Sequence, residues 1–343
     1  MRAGPPCLRS EPHLTPYLSL TSGFRSRPFF ATRCCIPCGA KHGSGEEANI
    51  FSTAQLSALK RLFSASVFRE LARKGRSSLF CRLVEQTDLI ERVAPGATVG
   101  DTFESAFEIL KVAGRRDEYV YRAAISHKIL MGTHSLQSAS MLNEFRAGSC
   151  KADLVILNGT ATVYEIKSER DSLTRLANQV ENYKRVFAKV NVIAGESHVD
   201  GVLATVPEDV GVLCLSRRYQ ISTVRDAVDC PQRVCPVTVF ESLRTAEAIA
   251  ILKSLGVLVP KVPNTQRHAA LRTLFADLDP ATLHVEMVRT LKRTRNLAPL
   301  GELVDQLPNS LQAAALSIPV RRSDHNRLVT AVATPLRAAM AWS

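Results

Sequence analysis

The sequence has no apolar run approaching the ~18 residues that a membrane-crossing helix needs. Its nearest candidate, AIAILKSLGVLVP from Ala248, is interrupted by Lys253. There is also no Walker loop, no GxGxxG turn, no GxSxG elbow and no internal repeat. These absences remove P-loop and dinucleotide-fold binding, the serine elbow of α/β hydrolases, and solenoid architectures. Nine cysteines are present without the spacing of a disulfide framework, which fits a reducing cytoplasm and free thiols. Acids are the scarcer charge: 32 Asp and Glu face 44 Lys and Arg, a net charge of +12. Such an excess suits a polyanionic partner such as nucleic acid. A chain of 343 residues that is 45% hydrophobic can carry one sizeable core with large additions.

Residues 1–50 are rich in Pro, Ser and Arg and lack any regular period, so they read as a disordered segment. A transit peptide shares this composition, although six prolines before Lys41 oppose an amphipathic helix, and a start codon placed too far upstream would look the same. Cys35 and Cys38, flanked by Cys34 and His42, have the spacing of a zinc knuckle, but no second CxxC follows. Loose thiols are the simpler reading.

Helical periods then begin. Leu56, Leu59, Phe63, Val67 and Leu71 recur at three and four residues and end at Gly75, a C-cap residue. A second helix follows Ser77, with Leu79, Phe80, Leu83, Val84 and Ile90 on its apolar face and Pro95-Gly96 closing it. A third contains Phe103, Phe107 and Leu110. The next begins near Asp117, with Glu118, Tyr121, Ile125 and Ile129 on one stripe. Glu118 is then either a functional acid or an acidic first turn favoured by the helix dipole.

Strands are expected at 140–146, 152–157 and 161–167, then a helix from about Ser172 and further strands at 190–194 and 210–215. The element order is α-β-β-β-α-β followed by another β. The expected domains are 1–50, a helical subdomain at 51–114, an α/β core at 115–238 and a helical region at 239–343.

The stretch KADLVILNGTATVYEIK, Lys151 to Lys167, places Asp153, Glu165 and Lys167 among residues that look buried. Burying charges costs several kcal/mol unless they are paired or hold a metal. Along a strand, Glu165 and Lys167 share a face. Asp153 joins them only if paired residue numbers in the hairpin have an even sum, whereas a two-residue Asn158-Gly159 turn gives an odd one, 317. A three-residue loop with Gly159 in the left-handed region, or one at 158–160, restores the even sum. Two carboxylates one strand apart could then hold Mg²⁺.

Asp153, then eleven residues, then Glu165-Ile166-Lys167, lies on a hairpin preceded by a helix bearing Glu118. The helix that follows carries Gln179 and Tyr183. This arrangement resembles the PD-(D/E)XK nuclease superfamily in its RecB-like, QxxxY-bearing branch, and is similar to a group of uncharacterised bacterial proteins with the same core. The resemblance covers about residues 115–215 and implies a restriction-endonuclease-like mixed-sheet α/β core with helical N- and C-terminal additions. It further implies a Mg²⁺- or Mn²⁺-dependent phosphodiesterase acting on nucleic acid, DNA ahead of RNA. Asp153, Glu165 and Glu118 would bind the metal, Lys167 would serve the attacking water, and Gln179 and Tyr183 would contact substrate. Ala152 stands where the superfamily has Pro.

By itself an ExK tripeptide can be a solvated pair on an exposed strand. The rival to turnover is a silent fold of this type that binds nucleic acid or protein. Glu144 and Glu169 are reserve acids. His127 and His134 read as structural, and Arg217-Arg218 as either a phosphate contact or an ordinary basic loop. Oligomeric state is not legible.

Overall fold

A computed structural model of the chain describes residues 51–342. The reading of residues 1–50, with the Cys34, Cys35, Cys38 and His42 group, lies outside them. Hydroxyl side chains start the first helices. In α1 (Thr53–Leu62), Ser52 and Gln55 form a capping box, and Ser64 and Ser77 cap α2 (Ala65–Lys74) and α3 (Ser78–Glu85). Gly75 ends α2 with φ of 69°, as its place in the sequence suggests. The period from Leu56 to Leu71 is therefore carried by two helices broken at Ser64, not by one. The helix after Ser77 is also shorter than its pattern. The Thr87 hydroxyl donates to Val84 O and accepts from Leu89 N, competing with the backbone ladder. A short turn, α4 (Leu89–Arg92), follows and leaves Ile90 exposed. Next come α5 (Val99–Lys111), opened by Thr98 and Asp101, and α6 (Glu118–Ile125), opened by Asp117. The latter runs into a single π turn, Ser126–Leu130.

Six strands form one mixed sheet in the order β1-β2-β3-β4-β5-β6. They are β1 (Ser140–Ala147), β2 (Cys150–Asn158), β3 (Thr160–Lys167), β4 (Lys189–Gly195), β5 (Gly211–Leu215) and β6 (Ile221–Arg225). The first three pair antiparallel. β3, β4 and β5 run parallel, linked by α7 (Leu176–Lys184) and α8 (Val199–Thr205), and β6 is antiparallel to β5. The architecture is thus an α/β core with helical additions. Neither α8 nor β6 is visible in the sequence pattern: Val202 alone is buried in α8, and β6 has no fully buried residue.

Alternation divides the strands between two cores. Leu154, Ile156, Tyr164, Ile166 and Ile193 face α1–α6. Val155, Val163, Val190, Val192 and Val212 face α7. The C-terminal region divides with them. On the α7 side pack α9 (Pro236–Ser242), α10 (Thr245–Ser254), α11 (Asn264–Ala276) and α12 (Pro280–Thr294). On the other side lie α13 (Gly301–Gln306), α14 (Asn309–Ser317), α15 (His325–Val332) and α16 (Leu336–Ala339), in one core with α1–α6. Backbone bonds tie these distant segments together: Val99 N to Thr334 O at 2.9 Å and Leu336 N to Ala97 O at 2.8 Å. Among the described residues no helix is long and apolar enough to cross a membrane.

The ladder is interrupted around Asp153 on both sides. β1 and β2 pair at Asn143↔Leu154 and Phe145↔Ala152 but skip Glu144, whose φ is +50°. A non-glycine residue there costs about 1 kcal/mol. Glu144→Gly is therefore expected to raise stability by roughly 0.5–1 kcal/mol in urea unfolding. Its exposed pair with Lys151 adds little to offset the gain. A fall in stability instead would show that the pair outweighs the strain.

Candidate functional site

The hairpin register follows from the turn. Leu154↔Tyr164 through Asn158↔Thr160 all sum to 318, with Gly159 at φ of 72°. The two-residue Asn158-Gly159 turn is excluded, and Asp153 falls on the face of Glu165 and Lys167. Glu165 is 1% exposed and Lys167 7%. Asp153 departs from the ladder, and its Oδ2 accepts the Ile166 N–H at 2.8 Å.

Every donor around Glu165 comes from β3 or α7. Its Oε1 accepts from Lys167 Nζ at 2.8 Å and Gln179 Nε2 at 2.6 Å, and Gln179 Oε1 accepts from Lys167 Nζ at 3.0 Å. Tyr183 Oη lies 2.7 Å from Glu165 Oε2 and 2.8 Å from Lys151 O, so its single proton has two acceptors in reach. The four-residue spacing on α7 puts Gln179 and Tyr183 on the same side. Burial, then the negative charge of Glu165, holds the Tyr183 hydroxyl well above its usual range. Burial and the neighbouring Glu165 charge also push Asp153 up to about 7; the Ile166 N–H and Lys167 act the other way.

Asp153, Glu165, Lys167 and Gln179 open onto a cleft of about 380 Å³ at the carboxyl end of β3. Asp117 and Glu118, at the start of α6, line it as well. The Glu118 side chain is 55% exposed and bound to Arg122 one turn on. Glu118 therefore does not head the apolar stripe formed by Tyr121 and Ile125; its charge reaches Asp153 but it is not gathered with the pair. Asp153 and Glu165 stand together, and Glu118 lines the same cleft with its carboxylate on Arg122. Among the described residues no three His, Cys, Asp or Glu side chains form a group able to hold a metal ion. The donor set still suits a hard divalent cation. Burial first and the Glu165 charge second raise Asp153, a cost that a cation would offset, and Mg²⁺ is commonly held by one or two carboxylates with the rest of its shell water.

The reserve candidates lie elsewhere. Glu144 pairs with Lys151, and Glu169 lines a separate cavity with Glu196 and Arg217. Arg217 binds Glu196, not the cleft. His134 contacts Asn158 at the hairpin end, and His127 faces a third cavity near Glu104. Sequence reasoning missed Arg116. It is 1% exposed, and its guanidinium donates to the carbonyls of Lys111, Leu215, Ser216 and Arg217. Those bonds pin the start of α6 to the loop after β5, which brings Asp117 and Glu118 to the cleft.

Fold and site together define a mixed α/β protein with a buried acid and amine network at the carboxyl end of a parallel strand. The chain belongs to the family described as bacteriophage P4 protein cII, whose profile matches residues 111–296. Every candidate residue from Glu118 to Tyr183 lies within that span. Protein cII of Enterobacteria phage P4 is 36% identical over 102 residues, which cover 29% of this chain and 38% of that protein. The match therefore spans well under half of that relative. A protein of unknown function from Silicibacter pomeroyi overlays 40% of this chain and 88% of its own at 18% identity, with a TM-score of 0.27, too low to argue a shared fold.

Proposed function

We propose that the cleft hydrolyses phosphodiester bonds in nucleic acid, DNA ahead of RNA, with Mg²⁺ or Mn²⁺ held by Asp153 and Glu165. The carrying observation is convergence: Asp153 from β2, Glu165 and Lys167 from β3 and Gln179 from α7 line one cleft, with Tyr183 on Glu165 behind them. A bound cation would supply charge neutralisation for the phosphate and acidify the attacking water. The chain's residues prepare the rest. Lys167, fixed by Glu165 and Gln179, presents an ammonium that can orient the water and stabilise charge gathering on the phosphoryl oxygens. Gln179 and Tyr183 hold Glu165 in place. Glu118 lines the cleft with one carboxylate oxygen on Arg122, so its other oxygen can serve as a further acid. Free thiols at Cys81, Cys150, Cys214, Cys230 and Cys235 suit a cytoplasmic setting.

One observation favours a second reading, a fold that binds without turnover. Both oxygens of Glu165 lie within hydrogen-bond distance of protein donors, as in a purely structural network. Incubating the protein with labelled single-stranded and duplex DNA and RNA in Mg²⁺, Mn²⁺ or EDTA separates the two. Cleavage that needs metal supports the first reading. Binding without cleavage in either metal supports the second.

A further inference from the structure

Besides the buried Arg116 and Lys167, three cations line the acid cleft: Lys60 from α1, and Arg170 and Arg175 from the segment joining β3 to α7. None is within ion-pair distance of a carboxylate among the described residues, whereas Lys151, Lys184, Arg233 and Arg295 all are. Of the acids that line the same cleft, Glu165 is paired with Lys167 and Glu118 with Arg122, Asp171 is bonded to Ser168, and Asp117 feels the charge of Lys60 without a salt bridge to it. These three side chains thus stand around the mouth of the cleft with no salt bridge of their own among the described residues.

The segment that carries two of these cations is fastened. Asp171 Oδ2 accepts from Ser168 N and Ser168 Oγ, each at 2.8 Å, and Asp171 O lies 3.2 Å from His198 Nε2. Arg170 donates to Gly114 O at 3.0 Å, which keeps it beside the start of α6. A cation held in place loses less side-chain freedom on meeting an anion. Lys60 stands on a different element, outside the residues 111–296 shared with the cII family.

We infer that Lys60, Arg170 and Arg175 form a phosphate grip on a nucleic-acid strand, holding backbone phosphates at the mouth of the acid cleft. This rests on the proposed action on nucleic acid but needs no turnover. It makes α1 part of the substrate site and not only packing. Phosphate contacts fix register without reading sequence, so the grip acts alike on all base compositions.

The test is fluorescence anisotropy of the full chain with a short labelled oligonucleotide, single-stranded and duplex, in EDTA over a range of KCl concentrations. Lys60→Ala, Arg170→Ala and Arg175→Ala should each weaken binding and flatten the dependence of log K on log salt by roughly 0.7 for a single strand or 0.9 for a duplex. Lys261→Ala, exposed and outside the cleft, should leave both unchanged. Matching melting temperatures would show that the variants fold. Wild-type slopes in all three variants, or no binding by wild type at low salt, would overturn the grip. Flattened slopes without cleavage in Mg²⁺ would sink only the nuclease reading. Cleavage with unchanged slopes would sink only the grip.

Discussion

Glu165→Gln and Lys167→Ala are each expected to lower metal-dependent cleavage of labelled DNA by at least about 100-fold. The glutamine variant is the sharper of the two because the network can accept it. Its carbonyl oxygen would take the bonds from Lys167 and Gln179. Its amide would donate to the Tyr183 hydroxyl, which would turn its own proton to Lys151 O, 2.8 Å away. Shape and hydrogen bonds survive while the negative charge is lost, and Lys167 is left without its carboxylate, so some fall in melting temperature is expected. Abolished cleavage in a variant that still unfolds cooperatively would tie activity to that charge. Cleavage within a few-fold of wild type in both variants would mean the chemistry lies elsewhere.

Asp153→Asn should stabilise the metal-free chain at pH 8 and erase any melting shift caused by Mg²⁺. The amide oxygen of the variant would still accept the Ile166 N–H, without the repulsion from Glu165. The pH dependence has a definite sign. Asp153 titrates at its usual 3.8 when unfolded and at about 7 when folded, so the folded chain holds this proton more tightly. Its contribution is complete below pH ~4, is lost as pH rises through ~7, and is flat above that. The loss is on the order of a few kcal/mol in wild type and absent in Asp153→Asn. With Mg²⁺, wild type should regain stability as RT ln(1 + [L]/Kd), and the variant should not. Identical pH profiles for the two proteins would refute the raised Asp153.

Much of the core is legible in the sequence because strand alternation and helical spacing are local signals. Register is legible too, though only through chemistry. The Asn158-Gly159 pair invites a tight turn, and only the need to bring Asp153 and Glu165 together argues for the even sum that the strands adopt. What escapes is non-local. Nothing near Arg116 announces that its guanidinium will serve carbonyls about a hundred residues away. The Glu118 and Arg122 pair is a local exception: its i,i+4 spacing stands in the sequence but is equally compatible with two free side chains. Lys60 sits in a helix whose apolar stripe speaks only of packing, and its cleft is assembled from segments more than fifty residues further along.

The shared core of α1–α6 and α13–α16 sets an order of events for a ribosome. The early helices emerge with an apolar face whose partners, Leu328, Ala331, Leu336 and Ala339, are encoded more than two hundred residues later. Synthesis at ~5–20 residues per second leaves that face uncovered for tens of seconds. The nascent chain is thus a natural client for a chaperone that shields apolar helices. A chain interrupted before residue 325 should aggregate even though its acid cleft is already encoded.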